Sequence, residues 1–147
     1  LWVQVNRGYH LFQLGKISTA VEAYESALAL YQQYHFADFE ALDYLYLPLG
    51  AHYTRLGDNE KARALYLNAI ETHPEGTKAA ALAGVYNNLG LTYWNEGDQA
   101  NAIKTFQKGL ACEGLLPIKS GLLQLSLAQS YLENGQTKEA TDYSEKA

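Results

Sequence analysis

Apolar, small and turn-forming positions along this 147-residue chain fall into one pattern that occurs four times. Its fixed points are Gly15, Gly57, Gly97 and Gly135, spaced 42, 40 and 38 residues apart. Five residues after each glycine stands Ala20, Ala62, Ala102 or Ala140, and four before it Leu11, Tyr53, Tyr93 or Tyr131. Seven before it lies a small residue, Gly8, Gly50, Gly90 or Ala128; nine after it an aromatic, Tyr24, Tyr66 or Phe106, except in the last copy, which has Ser144. Columns three and four residues apart belong to one face of a helix. A glycine between two such stretches supplies the left-handed residue that closes the first. The pattern predicts eight helices and no strand, at 2–14 and 17–35, 38–56 and 59–73, 77–96 and 99–112, and 118–134 and 137–147.

The chemistry of the columns suggests how these helices pack. The small residues at 8, 50, 90 and 128 are expected to face the alanine column, so that the two helices of each hairpin approach closely. Tyr24, Tyr66 and Phe106 are expected to fill the space between one hairpin and the next. Asp58, Asp98 and Ser18 can accept hydrogen bonds from the free amides that open the second helices. Pro48 falls in the middle of the third helix, lacks an amide proton and crowds the carbonyl of Tyr44, so a kink is expected there.

The third copy, Tyr86-Asn87-Asn88-Leu89-Gly90-Leu91-Thr92-Tyr93 followed by Ala102 and Phe106, resembles the tetratricopeptide repeat, whose pattern runs W-x2-L-G-x2-Y, A-x3-F, P. The second copy, Tyr46 to Tyr53 with Ala62, Tyr66, Ala69 and Pro74, is nearly as close. The first departs at Gln4 and Arg7, and the fourth at Gln124 and Ser144. The resemblance implies an all-α fold, an α-solenoid of four hairpins in a right-handed superhelix, with repeats at about 1–36, 37–75, 76–114 and 115–147 of a single domain. The periods exceed the usual 34 or so residues, and spacings within hairpins do not vary. The added length is therefore expected between hairpins, as longer helices around residues 29–46. With the fragment Thr72-His73-Pro74-Glu75-Gly76, these long periods resemble the kinesin light chain type of repeat.

In this family the concave groove is lined by the first helix of each hairpin. The corresponding positions here include Trp2, Val5, Tyr9 and Phe12, then Tyr44, Leu47, Ala51 and Thr54, then Asn87, Leu91 and Trp94, and finally Leu122, Leu125, Gln129 and Leu132. The resemblance thus implies a peptide-binding groove whose candidate residues are Tyr9, Phe12, Tyr44, Leu47, Asn87, Leu91, Trp94, Leu125 and Gln129. Chaperone-binding relatives place basic and amide side chains in this groove to clamp a carboxylate. Here Val5, Tyr9, Leu47, Asn87 and Leu125 stand at those places, so that specificity does not carry over.

Composition narrows the reading further. A net charge of −5, with 11 Lys and Arg against 16 Asp and Glu, offers little surface for phosphates, so nucleic acid is not an expected partner. No apolar run suits a membrane span, and the start lacks the order of a signal peptide, so a cytoplasmic location is expected. A single cysteine, Cys112, excludes an internal disulfide. No phosphate loop, HExxH, CxxC or nucleophile elbow is present. His10 and His52 share a repeat position, which places them roughly 10 Å apart on adjacent helices, too far for one metal. No metal, cofactor or catalytic residue is expected. The chain reads as a segment of a longer protein, an interaction module for a protein or peptide that also self-associates through uncapped ends. A second reading remains open: a sensor arm of a larger signalling or transcription-regulating protein, or of a caspase-like peptidase protein, that receives a small ligand or an inhibitory protein.

Overall fold

The computed structural model describes residues 1–34, 36, 38–73 and 79–147. Among these the secondary structure is helical, with no strand: α1 (Trp2–Gln13), α2 (Ile17–Tyr34), a π-helical turn (Leu42–Tyr46) leading into α3 (Leu47–Arg55), α4 (Asn59–Thr72), α5 (Ala79–Asn95), α6 (Gln99–Leu110), α7 (Pro117–Glu133) and α8 (Thr137–Ser144). Consecutive helices pair as hairpins, and each second helix also packs against the first helix that follows. In addition α3 packs on α5 and α5 on α7, whereas no comparable contact joins α2 to α4 or α4 to α6 among the described residues. From α3 to α7 the first helices therefore crowd together on the inner side of the stack, while the second helices fan out on the outer side.

Every hairpin turns by the same device. Gly15, Gly57, Gly97 and Gly135 have φ of 74°, 82°, 79° and 76°. The amide of the residue after each glycine reaches back five residues, from Lys16, Asp58, Asp98 and Gln136 to the carbonyls of Leu11, Tyr53, Tyr93 and Tyr131, at 2.8–3.0 Å. This closes the helix by satisfying carbonyls that have no partner within it. Asp58 then accepts from the Lys61 amide and Asp98 from the Asn101 amide, opening α4 and α6. Ser18 plays no such part, because α2 already begins at Ile17.

The glycines seven residues earlier rest directly against the aromatic column. A Cβ built on Gly8 would lie 2.7 Å from the Tyr24 ring, one on Gly50 2.3 Å from Tyr66, and one on Gly90 2.4 Å from Phe106. Each ring rests against the first helix of its own hairpin, and two of them reach on to the next hairpin: Tyr24 approaches His52 of α3 at 5.4 Å, and the Tyr66 hydroxyl accepts from Asn88 Nδ2 of α5 at 3.3 Å. The fourth copy departs at both places together. Ala128 carries the Cβ that a ring would exclude, and Ser144 stands where the ring would be.

The long first junction is met differently from the expected pair of lengthened α-helices. On one side α2 runs for 18 residues, against 14 in α4 and 12 in α6. On the other, Phe36, Asp38, Phe39 and Glu40 are not helical, and the chain rewinds through the π turn. Positions 35, 37 and 74–78, which include Pro74-Glu75-Gly76, lie outside the described residues. The π turn is also the answer to Pro48. The Leu47 amide donates to the Leu42 carbonyl, five residues back, and Pro48 follows in the first turn of α3. The widened turn just before it takes up the crowding that the proline ring would otherwise cause.

Candidate protein-interaction surface

The first helices bring most of the candidate side chains to the inner face. Tyr9 (52% exposed), Tyr44 (45%) and Leu125 (53%) are open to solvent. Phe12, Leu47, Asn87, Leu91 and Trp94 sit lower in this face, between exposed and buried neighbours, and Gln129 is exposed. Val5 does not belong to the surface: at 4% exposure it packs in the core with Tyr24.

Specific contacts set how each residue presents itself. Tyr44 stands against the Trp2 ring at 5.2 Å, edge to face, and Trp2 meets Phe39 at 5.1 Å. Phe12 lies on His52 with centroids 4.4 Å apart and carries the Arg55 guanidinium 5.3 Å above its ring. His52 is buried, and that burial, with Arg55 second, lowers its pKa from the ordinary histidine value. Leu47, Asn87 and Leu122 line a cleft of 270 Å³ with Lys119, whose ammonium donates to the Ala80 carbonyl at 2.9 Å. Asn87 Oδ1 accepts from Ser126 Oγ at 3.3 Å, tying α5 to α7.

Leu91 and Trp94 pack against the cluster of Phe106, Leu123, Leu127 and Tyr131. The Trp94 Nε1–H is shielded from solvent without an acceptor, a cost of about 1–3 kcal/mol for a buried polar group. Both side chains thus serve the stack as well as the surface. On α7 the reverse holds: Ile118, Leu122, Leu125 and Leu132 are all exposed, and with Gln129 they are spaced four, three, four and three residues apart. That is the seam spacing of a helix meant to meet another helix. Ile118 escaped the sequence reading because it was placed at a helix start; the alternation of four and three is the signal that identifies it. Arg55 and Ser126 lie outside the repeat columns and carry no comparable signal.

These groups suit contact with apolar and amide chemistry. Among the described residues no group of three or more His, Cys, Asp or Glu side chains is placed to hold a metal ion, and no helix is long and apolar enough to cross a membrane.

Comparison with known proteins agrees with this architecture. Two tetratricopeptide repeat models match the sequence, one over residues 3–34 and the other over 40–112. The chain belongs to the tetratricopeptide repeat family. Among solved structures, BtubC (BKLC) from P. vanneervenii superposes with a TM-score of 0.85 at 22% identity, over 97% of this chain and 59% of that one. The nearly identical TPR-like repeats assigned to a kinesin light chain of Podosopora anserina superpose at 0.79 with 20% identity, over 97% and 71%. A MamA protein superposes at 0.72 with 22% identity, over 97% and 68%. The chain therefore spans about three-fifths of the length of the first of these structures. No curated protein matches the sequence. Tetratricopeptide repeats are scaffolds for protein–protein interaction and are generally not catalytic.

Proposed function

We propose that this chain holds a peptide or helix of a partner protein on its inner face. The observation that supports this reading is the set of large side chains left open on the first helices, Tyr9, Tyr44, Leu122, Leu125 and Leu132. A repeat stack is a soluble fold whose outer second helices are largely polar, so apolar surface concentrated on one face marks an interaction site. The half-buried Phe12, Leu47, Asn87, Leu91 and Trp94 form the floor between these exposed groups, and Gln129 adds an amide to the α7 seam.

The test separates surface from stack. Tyr9→Ala combined with Leu125→Ala removes two exposed anchors that make few internal contacts. This variant is expected to lose most of the proteins captured by the wild-type chain from its source cells, with its melting temperature unchanged, since a few buried anchors dominate such interfaces. Phe106→Ala, which empties a fully buried site, is expected to cost about 3–5 kcal/mol of stability. Retention of every captured protein by the doubly substituted surface would rule out the inner-face reading.

A further inference from the structure

On the outer side of the stack three first helices, α3, α5 and α7, each form the floor between two successive second helices. In the first, the floor residue Tyr53 donates to Glu25 on the α2 wall at 2.6 Å. In the third, Tyr131 accepts from Gln107 on the α6 wall at 2.8 Å. Glu25 and Gln107 occupy the same repeat position, ten residues after the closing glycine. In the middle groove that position is Leu67, which cannot bridge and is 47% exposed. The Tyr93 ring beneath it carries the Arg63 guanidinium at 4.8 Å, but its hydroxyl makes no hydrogen bond among the described residues. A groove of 560 Å³ remains, lined by Leu67 and Ile70 of α4, Tyr93 of α5, and Lys104, Thr105 and Lys108 of α6.

Its charge runs against that of the chain. The whole protein is net negative by five charges, yet α6 contains no Asp or Glu, and Lys104 and Lys108 stand one turn apart on its wall. Neither lysine side chain is ion-paired among the described residues. The carboxylate whose titration Lys104 influences is Asp98, and Asp98 is already held by the Asn101 amide and side chain. Opposite the lysines the wall is apolar. The groove therefore combines two available cations, a free phenol and an aliphatic wall within one concavity.

We propose that this outer groove, between α4 and α6, is a second binding site, for an acidic peptide segment of a partner protein. Its carboxylates pair with Lys104 and Lys108, a backbone or side-chain polar group meets the Tyr93 hydroxyl, and an aliphatic side chain lies against Leu67 and Ile70. The site is independent of the inner face.

A random library of short peptides displayed on phage, panned against the chain carrying Tyr9→Ala and Leu125→Ala, tests it with the inner face silenced. Enriched peptides are expected to contain at least two carboxylates beside an aliphatic residue, a bias that the negative charge of the protein would otherwise oppose. Their synthetic forms are expected to bind less tightly as salt is raised, and to lose on the order of tenfold or more in affinity to Lys104→Glu with Lys108→Glu. Leu67→Gln is the second variant. It supplies the amide that Gln107 uses toward Tyr131, so it should close the groove and weaken binding by a similar factor without lowering the melting temperature. No enrichment, enrichment without acidic residues, or equal affinity for wild type and Leu67→Gln would each overturn the proposal.

Discussion

A methyl group added at Gly90 would lie 2.4 Å from Cε1 and 2.6 Å from Cδ1 of Phe106, a ring with no exposed surface. Alanine is the better helix former by about 1 kcal/mol, so helix propensity alone predicts that Gly90→Ala stabilises the chain. The contact decides otherwise, because the ring has nowhere to retreat. Gly90→Ala is expected to lower stability by about 1–3 kcal/mol in urea unfolding, and a gain would show that the ring does not rest on the glycine. His52 poses the corresponding question for charge. It is buried against Phe12 and Tyr24, and its folded-state pKa lies below the ordinary value, through burial first and Arg55 second. Neutral His52 thus favours the folded state above about pH 6.5, and that contribution is lost as pH falls through the lowered value. His52→Phe is expected to flatten the fall in melting temperature on acidification, with the wild type falling more steeply below pH 6.5 or so. Parallel acid limbs in the two proteins would remove His52 as the cause.

Between α2 and α3 the chain solves a problem of helix geometry. A proline in the middle of an α-helix costs about 3 kcal/mol or more, which would make its removal strongly stabilising. Here Pro48 follows a π turn closed by the Leu47-to-Leu42 bond and occupies the first turn of α3. Pro48→Ala is accordingly expected to change stability by less than about 1 kcal/mol, because the widened turn already takes up the crowding of the proline ring. A stabilisation near 3 kcal/mol in thermal or urea unfolding would return Pro48 to a helix interior. The helices themselves were legible to within a few residues, because closing glycines and capping aspartates are local signals. The π turn was not, since it depends on how one proline is reconciled with Leu42, Leu45 and Tyr46, all of which the core holds buried.

Along the whole stack, stability is a sum of hairpins and the contacts between them. The fourth hairpin is the poorest. Its α8 has only eight residues, Ala140 alone is buried, and the glycine–aromatic contact of the other three is absent. The ties that hold it include the Gln107–Tyr131 bond and the stacked rings of Tyr131 and Tyr143, 5.5 Å apart. Amide hydrogen exchange is therefore expected to release α8 first, with protection at least about tenfold weaker than in α5, which packs against neighbours on both sides. Uniform protection across all helices would mean that the stack unfolds as one unit.

The sequence by itself determined the repeat, its four turns and the all-helical class, because each rests on a short-range requirement: a left-handed residue to close a helix, a carboxylate to open one, small and large residues at helical spacing. The candidate surface was partly legible for the same reason, since Tyr9, Tyr44 and Leu125 occupy one face of their helices whatever surrounds them. Only the tertiary structure decided which residues on that face remain available. It buried Val5 in the first hairpin core, pressed Phe12 onto His52 and shared Trp94 between surface and stack. It also turned the glycine column toward the aromatic rings and left Leu67 above an unbridged Tyr93. Those outcomes depend on residues from about a dozen to forty positions apart meeting within a hairpin or across neighbouring ones, and helical periodicity carries no information at that range.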